Sequence, residues 1–144
     1  MEKPHKESKI VLVIEDEMDM RFYLMALVKS LGFEPILTRN GFQGLDVLDT
    51  VRPDLIILDV MMPEKGGALV YQELKIDPRY RDIPLIVFSG VDPDSFVHYV
   101  KMLNTGQKEK GQKEKIPFPE YYVEKSADPE YLKKIIKKCI HKKP

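Results

Sequence analysis

Short aliphatic runs recur along this chain, and they limit the folds that it can adopt. The segments KIVLVIED at residues 9–16 and LIILD at residues 55–59 are apolar at consecutive positions and not at alternate ones. This pattern is typical of strands that are buried on both faces of a parallel sheet. Three more segments have strand character: EPILTR at residues 34–39, IPLIVFS at 83–89 and EYYVEK at 120–125. The sequence therefore predicts five strands.

Segments with helical periodicity alternate with these strands. Five helices are predicted, and they cover residues 18–31, 42–51, 68–76, 92–103 and 128–140. The last helix has the clearest apolar face, with positions i, i+3, i+4, i+7 and i+8 occupied by Leu132, Ile135, Ile136, Cys139 and Ile140. Strands that alternate with helices indicate parallel βα units with helices on both faces of one sheet. The predicted fold class is α/β, a doubly wound (βα)5 domain.

Length and composition indicate one globular domain. The chain has 144 residues, and Lys plus Arg equals Asp plus Glu at 23 each, so its formal net charge is zero. That balance predicts no direct contact with nucleic acid and none with a membrane. The single cysteine, Cys139, excludes an intrachain disulfide, and the N-terminus lacks the apolar stretch of a signal peptide. We expect a cytoplasmic protein with a polar tail at residues 1–8 and one domain at residues 9–144.

Polar residues stand where the predicted strands end. They are Glu15, Asp16, Glu17, Asp59, Ser89, Gly90 and Lys125. In an open parallel sheet the binding crevice forms at the carboxyl ends of the strands, so these residues are expected to lie together.

The chemistry of this set favours a cation and a phosphoryl group. Carboxylates a few ångströms apart repel by about 4 kcal/mol per pair at an effective dielectric constant near 20. A divalent cation relieves that repulsion, and an all-oxygen ligand set suits Mg²⁺, with Mn²⁺ as a possible substitute. The cation and Lys125 would together neutralise a phosphoryl group. The nucleophile is then either water or a carboxylate, because an aspartate can accept a phosphoryl group itself.

Four motifs in order resemble the response-regulator receiver domain, the CheY-like phosphoacceptor of two-component signalling. They are VLVIEDE, IILDVMMP, VFSG and YYVEK, each at a predicted strand end, and the resemblance extends over about residues 9–140. The resemblance implies the flavodoxin-like strand order 2-1-3-4-5. It implies that Asp59 is the phosphoacceptor, that Asp16 binds Mg²⁺ directly and that Glu15 holds it through water. The backbone carbonyl of Met61 would be a further ligand.

The same resemblance assigns phosphoryl-binding and switch roles. Ser89 would hydrogen-bond a phosphoryl oxygen, Gly90 would leave room for it, and Lys125 would pair with its charge. Tyr122, with Tyr121 as the adjacent alternative, would move inward as Ser89 is drawn to the phosphoryl group. The face built by helix four, strand five and helix five would then change shape for a partner.

The implied partners are proteins. A histidine kinase or phosphotransfer protein would supply the phosphoryl group, and a downstream protein would recognise the switched face. The chain would be a monomer or a phosphorylation-dependent dimer. It would assist its own phosphorylation and dephosphorylation and would not be an enzyme acting on a separate substrate.

Four features depart from the family pattern. The acidic pair is Glu15-Asp16 where Asp-Asp is commoner, and Gly66 stands where the family often has an aspartate. Ser126 follows Lys125, where the family usually has a proline with a cis peptide bond that aims the lysine. A charged insertion at about residues 104–119 contains the tandem repeat GQKEKGQKEK, which favours a long loop before strand five.

Three alternatives remain at this point. A Mg²⁺-dependent aspartyl phosphatase would place a second aspartate two residues after the first, and Met61 stands there. A flavin- or nucleotide-binding protein would carry a glycine-rich loop after strand one, where this chain has VIEDEMD. A receiver-like interaction module that works without phosphorylation is the third. The sequence also leaves open whether the chain stands alone or belongs to a longer regulator.

Overall fold

The computed structural model of the protein describes residues 8–61, 66–109 and 115–141, and it shows strands and helices in strict alternation. The elements are β1 (Ile10–Ile14), α1 (Met18–Ser30), β2 (Glu34–Thr38), α2 (Gly41–Leu48), β3 (Leu55–Leu58), α3 (Gly67–Ile76), β4 (Leu85–Ser89), α4 (Pro93–Glu109), β5 (Tyr121–Glu124) and α5 (Pro129–His141).

The five strands form one parallel sheet in the order β2-β1-β3-β4-β5. This is the flavodoxin-like order, so the predicted fold class and strand order are confirmed. Every residue of β3 and β4 is buried, as is most of β1. The continuous aliphatic runs therefore do mark strands that are covered on both faces.

Two apolar clusters cover the two faces of the sheet. One is built from side chains of α2, α3 and α4 together with alternate residues of β1, β3 and β4. The other is built from α1 and α5 on the opposite face. The predicted apolar face of the last helix is buried at all five positions, which are Leu132, Ile135, Ile136, Cys139 and Ile140. This burial packs α5 against the sheet.

The fourth helix is longer than the sequence predicts. Residues 104–109, which we assigned to the start of the inserted loop, belong to α4. Gly106 does not end the helix, because a glycine inside a helix costs only about 1 kcal/mol relative to alanine. The Asn104 side chain also bonds the backbone of Ile116 and so ties this turn to the returning chain. Residues 110–114 of the repeat lie outside the described residues.

Candidate functional site

The carboxyl ends of the strands bring the predicted acidic residues together. The amide of Glu15 donates to the Thr38 carbonyl at 3.1 Å, and the amide of Asp59 donates to the Ile14 carbonyl at 3.0 Å. These bonds continue the sheet past the last strand residues, so both carboxylates begin from rigid backbone. Only 1% of Glu15 and 2% of Asp59 is exposed. Two buried acids therefore lie side by side at the edge of the sheet.

Lys125 joins these acids with its ammonium group. Its amide donates to the Ser89 carbonyl at 2.9 Å, which extends the β4–β5 pairing by one residue. Its Nζ lies 3.0 Å from Glu15 Oε1, 3.1 Å from Asp59 Oδ2 and 3.1 Å from Glu17 Oε1. Burial alone would lower the pKa of Lys125, but the hydrogen bond to Glu15 and the charge of Asp59 outweigh it and raise that pKa. The lysine is therefore a permanent positive charge in the pocket.

Lys125 reaches the acids although Ser126 follows it. The described peptide bonds are all trans, and the bond between Lys125 and Ser126 is among them. The Ala127 amide donates to the Glu124 carbonyl at 2.9 Å, and this turn directs the chain from β5 toward α5. The turn and the extended β4–β5 pairing aim the lysine without a proline.

Glu15 is the electrostatically strained member of the cluster. Its burial, with the nearby charge of Asp59 as the second cause, raises the pKa of Glu15 to about 7. Its Oε2 atom is buried and has no hydrogen-bond partner among the described residues. A buried carboxylate oxygen without a partner is costly unless a cation or a proton meets it.

The donor set around Glu15 fits a hard divalent cation. Carboxylate oxygens of Glu15, Asp16 and Glu17 lie within 4.8 Å of one another. Oxygen ligands of this kind, with open positions for water, are those that Mg²⁺ prefers. Together with the partnerless oxygen of Glu15, they show an acidic pocket able to hold such an ion. The sequence pointed to Glu15 and Asp16 as ligands but gave Glu17 no role, although it stands next in the same acidic run.

Asp59 and Met61 are coupled through one hydrogen bond. The Met61 amide donates to Asp59 Oδ1 at 2.9 Å, while Lys125 binds Oδ2. The backbone at Met61 is thus held close to the carboxylate. The ligand role of the Met61 carbonyl stays a prediction. Residues 62–65, which include the proline of the IILDVMMP motif, lie outside the described residues.

Ser89 and Gly90 lie at the end of the neighbouring strand. Ser89 is fully buried, and its Oγ accepts a hydrogen bond from the Val91 amide at 3.1 Å. A Cβ atom placed on Gly90 would meet no atom within 4 Å. The Ser89 hydroxyl is therefore held by the loop that follows β4, and a side chain at Gly90 would meet no steric obstacle.

Tyr122, and not its neighbour Tyr121, faces the loop that carries Ser89. The Tyr122 hydroxyl donates to the Val91 carbonyl, and its ring packs on Phe96 with ring centroids 5.6 Å apart. Burial of the ring raises the pKa of Tyr122. Tyr121 packs into the cluster on the opposite face of the sheet. Because side chains alternate along β5, Tyr122 points toward the Ser89 loop and Tyr121 points to the opposite face of the sheet.

The sequence reasoning missed one side chain beneath the pocket. Arg21, on the first turns of α1, donates through Nη1 to the carbonyls of Glu15 at 3.0 Å and Asp16 at 2.7 Å. Its place six residues after Glu15, just beyond the start of a helix, was the available signal. A side chain on that turn can reach back to the loop that precedes the helix.

Comparison with known proteins decides the family. The protein-family model that describes the response regulator receiver domain matches residues 11–109 of this chain. This chain is a response regulator receiver domain. It therefore belongs to the receiver domains of two-component signalling. Along the described part of the chain, no helix combines the length and apolar character needed to span a membrane.

Curated relatives support the assignment. Over 83 residues the receiver domain is 42% identical to the polar-differentiation response regulator DivK of Brucella anthropi. That alignment covers 57% of this chain and 67% of the relative. The DivK protein of Brucella ovis is 39% identical over 84 residues, which covers 58% of this chain and 68% of that protein.

Solved structures share the fold. The receiver domain of a histidine kinase from Syntrophus aciditrophicus superposes with a TM-score of 0.73 at 27% identity, covering 92% of this chain and 90% of that one. The response regulator TrrA of Thermotoga maritima, solved in complex with Mg²⁺-BeF, gives a TM-score of 0.70 at 27% identity over 91% and 98% of the two chains. A Pseudomonas aeruginosa sensor kinase receiver domain, with a magnesium ion in its cleft, gives 0.71 at 20% identity over 94% and 100%.

Proposed function

We propose that this receiver domain accepts a phosphoryl group on Asp59 and passes the event to a protein partner. The observation that carries the proposal is the position of Lys125 Nζ, 3.1 Å from Asp59 and 3.0 Å from Glu15. That geometry brings three groups into one buried pocket: the carboxylate nucleophile of Asp59, the ammonium group of Lys125, and Glu15, which has a carboxylate oxygen without a partner among the described residues. The phosphoryl donor would be a phosphohistidine on a kinase or phosphotransfer protein, or a small acyl phosphate.

The transfer exchanges one bond to phosphorus for another. A carboxylate oxygen of Asp59 attacks the phosphorus, the bond from phosphorus to the donor nitrogen or oxygen breaks, and the electron pair leaves with the donor. Lys125 and the Ser89 hydroxyl would meet the charge of the phosphoryl oxygens. The open space beside Gly90 provides room. When bound by Glu15, Asp16, Asp59 and the Met61 carbonyl, Mg²⁺ or Mn²⁺ would supply further charge neutralisation.

The same contacts explain how phosphorylation would switch the domain. A phosphoryl group carries about 1.5 to 2 negative charges, and its acyl bond removes the single charge of the Asp59 carboxylate, so the pocket gains about 0.5 to 1 negative charge. The phosphoryl oxygens compete with Glu15 and Glu17 for Lys125. The Ser89 oxygen accepts from the Val91 amide, so a Ser89 side chain that moves toward the phosphoryl oxygens either carries this loop with it or breaks that bond. Because Tyr122 holds the Val91 carbonyl, movement of this loop changes the face made by α4, β5 and α5. A downstream protein would bind one state of that face.

The proposed role requires no separate substrate. The domain would assist its own phosphorylation and, by admitting water to the acyl phosphate, its own dephosphorylation. A monomer and a phosphorylation-dependent dimer are both compatible with a switch on this face.

The proposal predicts a metal-dependent mass gain. We expect intact-mass spectrometry to detect one added phosphoryl group after incubation with acetyl phosphate and Mg²⁺. The gain should disappear with excess chelator and return with Mn²⁺. A folded protein that gains no mass with either metal would instead support a phosphorylation-independent interaction module.

A further inference from the structure

We propose that Arg21 is a positioning residue for the cation pocket, an inference that rests on the proposed function of that pocket. Its Nη1 atom holds two consecutive carbonyls, those of Glu15 and Asp16. Its own amide donates to the carbonyl of Glu17 at 2.9 Å, as the helix begins. One residue therefore touches the backbone at all three positions of the acidic run.

Fixing those carbonyls fixes the carboxylates. Each peptide plane that Arg21 holds limits the direction of the adjoining Cα–Cβ bonds, and so limits how far the carboxylates can separate. These oxygens lie within 4.8 Å of one another although their charges repel. The charge on the guanidinium strengthens both hydrogen bonds. Without the Arg21 guanidinium the acidic loop can spread. Part of the free energy of cation binding is then used to bring the carboxylates back together, so the cation binds more weakly.

The test compares Mg²⁺ binding in Arg21→Met with that in Lys29→Met, a control at the exposed end of the same helix. We expect isothermal titration to show a Kd about tenfold weaker for Arg21→Met, the size found when groups that orient metal ligands are removed. The Lys29→Met Kd should match that of the parent. Arg21→Lys keeps a charged donor and should recover part of the loss. The phosphorylation rate at saturating Mg²⁺ should change much less than the Kd.

The outcomes of this test distinguish a failure of the positioning role of Arg21 from a failure of the proposed function. A parent protein that binds no Mg²⁺ contradicts the proposed function. A parent that binds Mg²⁺, with an equal Kd in folded Arg21→Met, contradicts the positioning role alone. If Arg21→Met does not fold, Arg21→Gln takes its place in the comparison, and a Kd equal to that of the parent in folded Arg21→Gln overturns the inference.

A second inference concerns residues 115–119, which we call the strap. Ile116 of the strap is 2% exposed and belongs to the core cluster beneath α3 and α4. Asn104 of α4 accepts from the Ile116 amide at 2.6 Å and donates to its carbonyl at 2.9 Å. The Tyr71 hydroxyl of α3 donates to the Pro117 carbonyl at 2.6 Å. The inserted segment thus returns to the core through a built attachment.

The attachment is connected to Tyr122, the proposed switch residue, through packed aromatic rings. The Tyr71 ring meets Phe96 edge-on with centroids 5.3 Å apart, and Phe96 contacts the Tyr122 ring. Tyr122 in turn holds the loop of Ser89 through Val91. Packed aromatic rings have few alternative arrangements, so a displaced Tyr122 must be accommodated by Phe96 and Tyr71. We infer that occupation of the phosphoryl site changes how firmly the strap is held.

The Ile116 amide reports this coupling, because its partner is the Asn104 side chain. We expect beryllofluoride with Mg²⁺ to change its hydrogen-exchange rate, measured by NMR, by about fivefold or more. Tyr71→Phe removes the hydroxyl and keeps the ring, and it should reduce that response. Tyr131→Phe, on an exposed side chain of α5, should leave it unchanged.

Two negative results have different meanings. Beryllofluoride that binds without altering Ile116 exchange overturns the strap inference and leaves the proposed function intact. Beryllofluoride that does not bind the folded parent contradicts the proposed function, and the strap inference with it.

Discussion

Asp59→Asn is expected to abolish the phosphoryl mass gain completely. An amide oxygen is a poor nucleophile. The other two described carboxylates that bond Lys125, those of Glu15 and Glu17, belong to the acidic cluster that would hold the metal. The fold should persist, because the amide keeps the shape of the side chain and an oxygen to accept from the Met61 amide. Intact mass after incubation with acetyl phosphate and Mg²⁺ measures the result.

Asp46→Asn is the matched control for that substitution. Asp46 is exposed on α2, so its change removes an equal charge away from the pocket. It should gain mass at the parent rate. A gain that survives in Asp59→Asn would place the acceptor elsewhere, and peptide mapping would then locate it.

Gly67→Ala is expected to lower the free energy of unfolding by about 3 kcal/mol. A Cβ atom at this position would lie 2.0 Å from the Asp59 carbonyl oxygen and 2.4 Å from the Val60 Cα. Both are backbone atoms, so no side chain can rotate away, and the first turn of α3 must shift. Because the obstructed carbonyl belongs to Asp59, phosphorylation should also slow. Urea unfolding measures the first effect, and intact mass with time measures the second.

Gly90→Ala separates crowding from the general effect of adding a methyl group. The added Cβ meets no atom within 4 Å, and the backbone there is not left-handed. Its stability should therefore change by less than about 0.5 kcal/mol. If Gly67→Ala is as stable as Gly90→Ala, the close approach of α3 to Asp59 is not a constraint on this fold.

Local patterns were sufficient to predict the layout of the chain. Continuous apolar runs indicate strands covered on both faces, and this pattern predicted the parallel sheet correctly. The apolar spacing of the last helix predicted each of its five buried residues. Helix ends were less predictable, since α4 continues through Gly106 to Glu109. Within the added turns, Asn104 is bonded to the backbone of Ile116, and no local signal in the sequence encodes that pair.

The positions of the site residues follow from the strand ends, but their interactions do not. The motifs placed Asp59, Ser89 and Lys125 at one edge, because parallel strands all end there. The choice of Tyr122 over Tyr121 needed the register of β5, because adjacent residues point to opposite faces. Specific roles for Arg21 and Glu17 were not assigned from the sequence, because those roles depend on which atoms face the acidic loop.

By itself the sequence determined the order of strands and helices, the apolar faces and the edge at which the chemistry lies. Those features depend on the residue types within each segment and on their spacing. Only the tertiary structure decided that Lys125 bridges Asp59 and Glu15, that Glu15 keeps a partnerless oxygen and that its pKa rises to about 7. Lys125 and Glu15 are 110 residues apart. Their distance, burial and charge arise only when the folded sheet brings those strand ends together.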